Sequence, residues 1–334
     1  MYDYQLSFIL NPYQEATSQQ IVKYFLDNKN IIVDAVCGAG KTEMILEVMK
    51  IALNKGYKIG FACPRRQLLI ELYQRIKGYF NHPNIGLVMG GIQENSASNL
   101  IFLTCHQLVS YYDYFDLLII DEIDAYPFYN NFELENNAWL SARQFILLSA
   151  TVPDKYYDLV AQGKMKLVTN YYRHHLKKHP LPLLIKKHKL LLIIEIFKMI
   201  KNNKSEPLLI YVPTKKIGRS LSKVLKLSFK KIKFVHGNNI NEKIIADFKN
   251  RTIDILISTT VLERGITLKK INVLVYDSAH RIFDYATLLQ ICGRVGRDSV
   301  YIEGKLVFLG DTITKAMLLS QQKVGEYNQM LNLS

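Results

Sequence analysis

The 334-residue sequence has only four cysteines, Cys37, Cys63, Cys105 and Cys292, and no two of them are close together. That scatter excludes a disulfide framework and a paired-thiol zinc site, and it fits a reducing compartment. No zinc is therefore expected. Met1–Leu10 lacks the charged segment followed by an apolar core that a secretory leader needs. Long hydrophobic runs are missing too. The greasiest stretch, Leu190–Ile200, is broken by Glu195 and Lys198 and is too short to span a bilayer. These absences predict a cytoplasmic protein with no transmembrane segment. There is no internal sequence repeat, only two similar halves.

Negative charge is missing locally. No Asp or Glu occurs from Leu159 to Ile194, whereas Arg173, Lys177, Lys178, Lys186, Lys187 and Lys189 do, together with His174, His175, His179 and His188. Pro180 and Pro182 disfavour a continuous helix there. Residues 164–189 read as a basic linker between two halves, either a solvated charge run or a phosphate-contacting strip. The histidines have no carboxylate or thiol near them in sequence, so a metal site is not expected there.

What is present is globular. Hydrophobic residues make up 49% and charged residues 22%, values at which a chain folds around a core. The length exceeds one ordinary core and predicts two domains of about 150 residues each. The net charge of +14 favours a polyanionic partner such as nucleic acid or anionic lipid. A general bias toward Lys, Asn and Ile contributes to that charge.

The chain is organised around Ala35–Thr42, which reads Ala-Val-Cys-Gly-Ala-Gly-Lys-Thr. The β-branched run Ile31-Ile32-Val33 precedes it, and Glu43–Leu53 follows with helical spacing. Strand, Gly-rich turn and helix is the layout whose backbone N–H groups and helix dipole cradle phosphate. Gly38, Ala39 and Gly40 would form the cradle. Lys41 would reach the β- and γ-phosphates, and the Thr42 hydroxyl would ligand Mg²⁺. The general pattern has Gly where this chain has Ala35.

A helix is expected over Tyr13–Asp27 after Asn11-Pro12. Strands then alternate with helices: Ile31–Val36, Lys58–Ala62, Ile101–Thr104, Leu117–Ile120 and Phe145–Leu148, with one helix after Lys41 and another from Arg65. The second half repeats the rhythm at Leu208–Val212, Ile232–Val235, Ile253–Ser258, Val273–Tyr276 and Lys305–Leu309. Short apolar strands alternating with helices predict an α/β fold with parallel sheets covered on both faces. Binding residues then gather at the C-terminal strand ends.

The strand Leu117–Ile120 runs into Asp121-Glu122-Ile123-Asp124. Asp121 suits an acidic partner for nucleotide-bound Mg²⁺, and Glu122 suits the residue that orients or deprotonates an attacking water. Ser149-Ala150-Thr151 follows the strand Phe145–Leu148 and could link the nucleotide site to a neighbouring surface; the plain alternative is a helix N-cap. Cys63-Pro64-Arg65-Arg66 places arginines at a helix start. Gln290, Arg294 and Arg297 share one segment of the second half, with Gly293 and Gly296 between them. Arginines facing the phosphate loop from there could stabilise charge on a transferring γ-phosphate.

Taken in order, Gly38–Thr42, Pro64-Arg65, Asp121–Asp124, Ser149–Thr151, Thr259-Thr260-Val261-Leu262-Glu263-Arg264-Gly265 and Gln290…Gly293-Arg294…Gly296-Arg297 resemble the motif set of superfamily 2 helicases and translocases. Ala35 with Gly38 matches that superfamily's form of the loop. Thr104-Cys105-His106-Gln107-Leu108, Phe115–Phe128, Arg173-His174-His175 with Pro180-Leu181-Pro182, and Leu288–Arg297 resemble the ComFA group of competence proteins. Such proteins usually carry a four-cysteine zinc module ahead of the helicase core, and these four cysteines do not supply one.

The resemblance implies two tandem RecA-like domains, 1–170 and 190–334, joined by a basic linker over 171–189, with ATP in the cleft between them. It makes Lys41 and Thr42 the phosphate and Mg²⁺ contacts, Asp121 the Mg²⁺ partner and Glu122 the water-activating residue. Gln290, Arg294 and Arg297 become γ-phosphate sensors, Gln14 the reader of adenine, and Gly265 part of the nucleotide site. Ser149 and Thr151 become coupling residues. Nucleic acid would lie across Pro64, Arg65, Thr104, His106, Pro213, Thr259 and Thr260. The implied activity is that of a cytoplasmic, single-stranded-DNA-stimulated ATPase using ATP and Mg²⁺, peripheral to the inner face of the membrane, with RNA as an alternative polymer. The implied partners are the DNA-uptake machinery and a competence phosphoribosyltransferase-like protein. Two other readings stay open: a general DNA or RNA helicase, and a nucleotide-gated binding protein with weak hydrolysis.

Overall fold

The structure is a computed structural model that describes residues 1–81, 84–202, 206–237, 242–259, 270–296 and 304–333. The chain divides into two compact units, Met1–His174 and His175–Ser334.

The first unit has the strands β1 (Asn30–Ala35), β2 (Ile59–Cys63), β3 (Gly86–Met89), β4 (Ile92–Glu94), β5 (Leu100–Thr104), β6 (Phe115–Asp121), β7 (Ala142–Ser149) and β8 (Met165–Asn170). They form one sheet in the order β4-β3-β5-β2-β6-β7-β1-β8. The β3–β4 pairing is antiparallel and the other described pairings between these strands are parallel. Its helices are α1 (Pro12–Leu26), α2 (Lys41–Met44), α3 (Leu46–Asn54), α4 (Arg66–Tyr79), α5 (Phe132–Ser141) and α6 (Asp154–Ala161). The central strands are buried on both faces, which is why they read as apolar runs rather than as alternations. Ile32, Leu118, Ile120, Phe145 and Leu147 join one core.

Local signals explain the first helix. Asn11 caps α1, Pro12 occupies its first turn, and Gln14 closes a reciprocal capping box with Asn11. The helix expected after Lys41 is interrupted at Ile45, giving α2 and α3. The hairpin β3–β4 was not anticipated, although Gly90-Gly91 between apolar residues is a turn signal, and Gly91 has φ 81°.

The second unit has β9 (Leu183–Lys186), α7 (Leu192–Asn202), β10 (Leu208–Tyr211), α8 (Lys215–Lys226), β11 (Ile232–Val235), α9 (Glu242–Lys249), β12 (Ile255–Ser258), β13 (Asn272–Tyr276), α10 (Tyr285–Cys292), β14 (Leu306–Gly310) and α11 (Lys315–Leu333). Its sheet runs β11-β12-β10-β13-β14-β9, with all described pairings parallel.

The basic stretch 164–189 is not a linker throughout. Met165–Asn170 is β8, paired along β1, and Leu183–Lys186 is β9, paired with β14 at a sheet edge. Arg173 is fully buried in the first unit and His179 is buried in the second, so neither belongs to an exposed charge strip, whereas Lys177, Lys178, Lys186, Lys187 and Lys189 are exposed. The missing carboxylates suggested a solvated connector. Tertiary pairing instead satisfied the backbone by extending two sheets.

Candidate nucleotide site of the first unit

The strand order builds this site. β6, β7 and β1 are neighbours, with Asp121 level with Leu148 and Asp34 level with Ser149. At about 4.8 Å per strand spacing, the carboxylates that leave β6 stand about 10 Å from the loop that leaves β1. Residues 35–42, 121–124 and 149–151 therefore share one C-terminal sheet edge, where ligands of open α/β sheets bind.

Backbone geometry fits the phosphate loop. Gly38 and Gly40 have φ of 86° and 82°, a region that side chains rarely enter. A Cβ built on Gly40 would lie 2.4 Å from Gln14 Nε2, so the loop is closely walled as well as left-handed. Gln14 is buried and hydrogen-bonded at both ends of its amide. Its Nε2 donates to the Ala39 carbonyl at 2.8 Å, and its Oε1 accepts from the Asn11 N–H at 3.0 Å. In this structure Gln14 braces the loop. Lys41 Nζ donates to the Ala35 carbonyl at 2.9 Å.

The segment after β8 closes on the same loop. The His174 N–H donates to the Gly38 carbonyl at 3.3 Å, and Asn11 Nδ2 donates to the His174 carbonyl at 3.1 Å. Arg173 packs its aliphatic stem over Gly38, and Tyr172 stacks on Tyr13 with ring centroids 3.8 Å apart. Sequence reading placed these residues in a connector and missed their role in walling the loop.

The chemistry of the donor set fits Mg²⁺. Thr42 and Asp121 are both buried, and both offer hard oxygen. Burial pushes the Asp121 carboxyl up to about 6, with Glu122 adding to the rise and Lys41 opposing it. An acid poised this way gains its ionised form when a divalent cation arrives. Glu122 is half-buried with φ 56°, a left-handed conformation for a non-glycine residue, and its N–H donates to Asp121 Oδ1 at 2.9 Å. Among the described residues, no group of three or more His, Cys, Asp or Glu could hold a metal by itself.

Two further residues belong here, and sequence reading gave neither a role. Asp124 is buried and accepts from Ser149 Oγ at 2.8 Å and from Thr151 Oγ1; Ser149 Oγ also accepts from the Thr151 N–H at 2.9 Å. The Ser-Ala-Thr segment is thus tied to the acidic turn by its hydroxyls. Arg75, from α4, donates to Thr42 Oγ1 at 2.7 Å, and its Nε lies 3.8 Å from Glu43 Oε1.

The remaining expected residues are divided between the two units. Pro64, Arg65, Thr104 and His106 follow β2 and β5, which pair with Cys63 level with Thr104. Pro64 and Thr104 are buried, Arg65 is half-buried and His106 is exposed. In the second unit Pro213 and Thr259 follow the paired strands β10 and β12, and both are buried. Gln290 lies on α10 and Arg294 follows it, both buried. His175 Nε2 is 2.9 Å from the Gly296 carbonyl. Thr260, Gly265 and Arg297 lie outside the described residues.

Comparisons agree with this layout. Residues 7–154 match the family model described as type III restriction enzyme, res subunit, and residues 188–299 match the helicase conserved C-terminal domain. The competence protein ComFA of Streptococcus pneumoniae (strain ATCC BAA-255 / R6) is 31% identical over 338 residues, covering 97% of this chain and 77% of the relative. ComFA of Bacillus subtilis (strain 168) is 29% identical over 331 residues, covering 95% and 72%. S. cerevisiae Dbp5 bound to RNA and ADP BeF3 superposes with a TM-score of 0.66 at 18% identity, over 96% of this chain and 92% of that one. That likeness is one of fold, two RecA-like units in tandem. With a relative 31% identical over 97% of this chain and 77% of its own length, the chain belongs to the ComFA family of competence proteins, ATP-hydrolysing enzymes of the superfamily 2 helicase type.

Proposed function

We propose that this protein is a single-stranded-DNA-stimulated ATPase that drives DNA movement in competence. The observation that carries the reading is the shared sheet edge. The loop Gly38–Thr42, the pair Asp121 and Glu122, and the bridge from Asp124 to Ser149 and Thr151 lie on three neighbouring strands. Lys41 and the loop backbone hold the phosphates, Thr42 and Asp121 hold Mg²⁺, and Glu122 orients the attacking water. Gln290, Arg294 and Arg297 act on the γ-phosphate.

Nucleic acid engages Pro64, Arg65, Thr104 and His106 on the first unit, and Pro213, Thr259 and Thr260 on the second. Contacts at such positions reach phosphate and sugar, so binding is insensitive to sequence and weakens with salt. The net charge of +14 favours that partner. The names of the relatives in B. subtilis and S. pneumoniae support the competence role. That role places the protein in the cytoplasm at the DNA-uptake machinery, alongside a competence phosphoribosyltransferase-like protein. Among the described residues no helix is long and apolar enough to cross a membrane.

The test is steady-state ATP hydrolysis with no polymer, single-stranded DNA, duplex DNA and RNA. Stimulation by single-stranded DNA alone is the expected result. Stimulation by RNA alone would sink the DNA-uptake reading and favour a general helicase.

A further inference from the structure

Arg75 sits where the metal chemistry of the site is decided. Its guanidinium donates to Thr42 Oγ1 at 2.7 Å, the oxygen that would ligand Mg²⁺. The same guanidinium is also held from its other side. Its Nε lies 3.8 Å from Glu43 Oε1, and Glu43 accepts from Tyr79 Oη at 3.3 Å. Tyr79 stands one turn after Arg75 on α4, and Glu43 follows Thr42 on α2, so both contacts join the same two helices.

A guanidinium a hydrogen bond's length from a metal ligand repels a divalent cation on that ligand, because two positive charges then share one partly buried site. We propose that Arg75 and Mg²⁺ are alternative cations at the Thr42 hydroxyl. Arg75 holds the Thr42 hydroxyl until Mg²⁺ arrives with nucleotide, and then releases that hydroxyl while keeping its ion pair with Glu43. Arg75 is thus a positioning residue that sets how much Mg²⁺ is needed to fill the site. This rests on the reading of Thr42 and Asp121 as the Mg²⁺ groups.

The experiment is binding of an ATP analogue carrying an N-methylanthraniloyl fluorophore, in EDTA and over a Mg²⁺ series. It compares the wild-type full chain with Arg75→Gln, Arg75→Lys and Asp121→Asn. Arg75→Gln is expected to lower the Mg²⁺ concentration at half effect by about fivefold or more, with binding in EDTA unchanged. Arg75→Lys, which keeps the charge without the planar fork, should fall between the two. Asp121→Asn should lose most of the enhancement by Mg²⁺.

If Asp121→Asn keeps the wild-type Mg²⁺ dependence, the metal-site reading itself fails. If Asp121→Asn behaves as expected but Arg75→Gln leaves the half-effect concentration unchanged, Arg75 is only a structural brace and the proposal is wrong. If Arg75→Gln weakens binding equally with and without Mg²⁺, Arg75 contacts the nucleotide instead, and the proposal is again wrong. Should Arg75→Gln fold poorly by circular dichroism, Arg75→Lys alone decides between competition and a brace.

Discussion

Asp121→Asn should stabilise the protein while disabling it. The carboxyl is buried and its pKa is raised from the ordinary 3.8 to about 6, first by loss of water and then by the Glu122 charge. The folded value lies above the unfolded one. The stabilising contribution of the protonated carboxyl is therefore complete below about pH 4 and is lost as pH rises through about 6. At pH 7 the ionised form opposes folding. The interval from 3.8 to about 6, at about 1.4 kcal/mol per pH unit, bounds that penalty at about 3 kcal/mol. Asparagine removes the charge and keeps an oxygen for the Glu122 N–H, which donates to Oδ1 at 2.9 Å in the native protein. For a unit of this size, about 3 kcal/mol corresponds to a Tm gain of about 6–12 °C. The assay is thermal unfolding of wild type and variant from pH 4.5 to 8 without nucleotide, followed in the transition of the first unit. The difference should be largest above pH 7 and shrink toward pH 4.5. It should also shrink at pH 7 when ATP and Mg²⁺ are added, because only the wild type gains their binding energy. A variant less stable than wild type at pH 7, or a gap that does not change with pH, would refute the reasoning.

Other perturbations test the rest of the site. Gly40→Ala puts a Cβ 2.4 Å from Gln14 Nε2 on a residue at φ 82°; a strained loop residue costs about 1–3 kcal/mol, and titration should show ATP binding weakened about tenfold or more. Glu122→Gln should bind ATP normally while turnover falls about 10²- to 10⁴-fold; normal turnover would remove Glu122 from its role. Asp124→Ala strips the acceptor from the Ser149 and Thr151 hydroxyls. Urea unfolding should show a loss of about 1–3 kcal/mol, and the ratio of polymer-stimulated to basal hydrolysis should drop. A ratio equal to wild type would show that the bridge does not couple the two.

The phosphate loop, the acidic turn and most strands were legible in the sequence because their signals are short-range. Burial on both faces makes a parallel strand a continuous apolar run, and Gly38 and Gly40 mark a turn that side chains would obstruct. Even there, boundaries moved by a residue or two, as where Lys58–Ala62 became Ile59–Cys63. Besides the β3–β4 hairpin, the strands missing from that pattern are β8 and β9, which are only partly buried, sit at sheet edges and carry lysines.

Which residues meet was settled by strand order and helix packing. Asp124 finds Ser149 because β6 and β7 are neighbours, Arg75 finds Thr42 because α4 packs its guanidinium against the loop helix, and Gln14 finds Ala39 because α1 lies beside the loop. These pairs are separated by 25, 33 and 25 residues. No periodicity or turn signal reaches that far, since it is sheet order and helix packing that bring such residues into contact. Local pattern was enough to read a nucleotide loop; the fold determined which side chains brace that loop, bridge its neighbours and lie against Thr42.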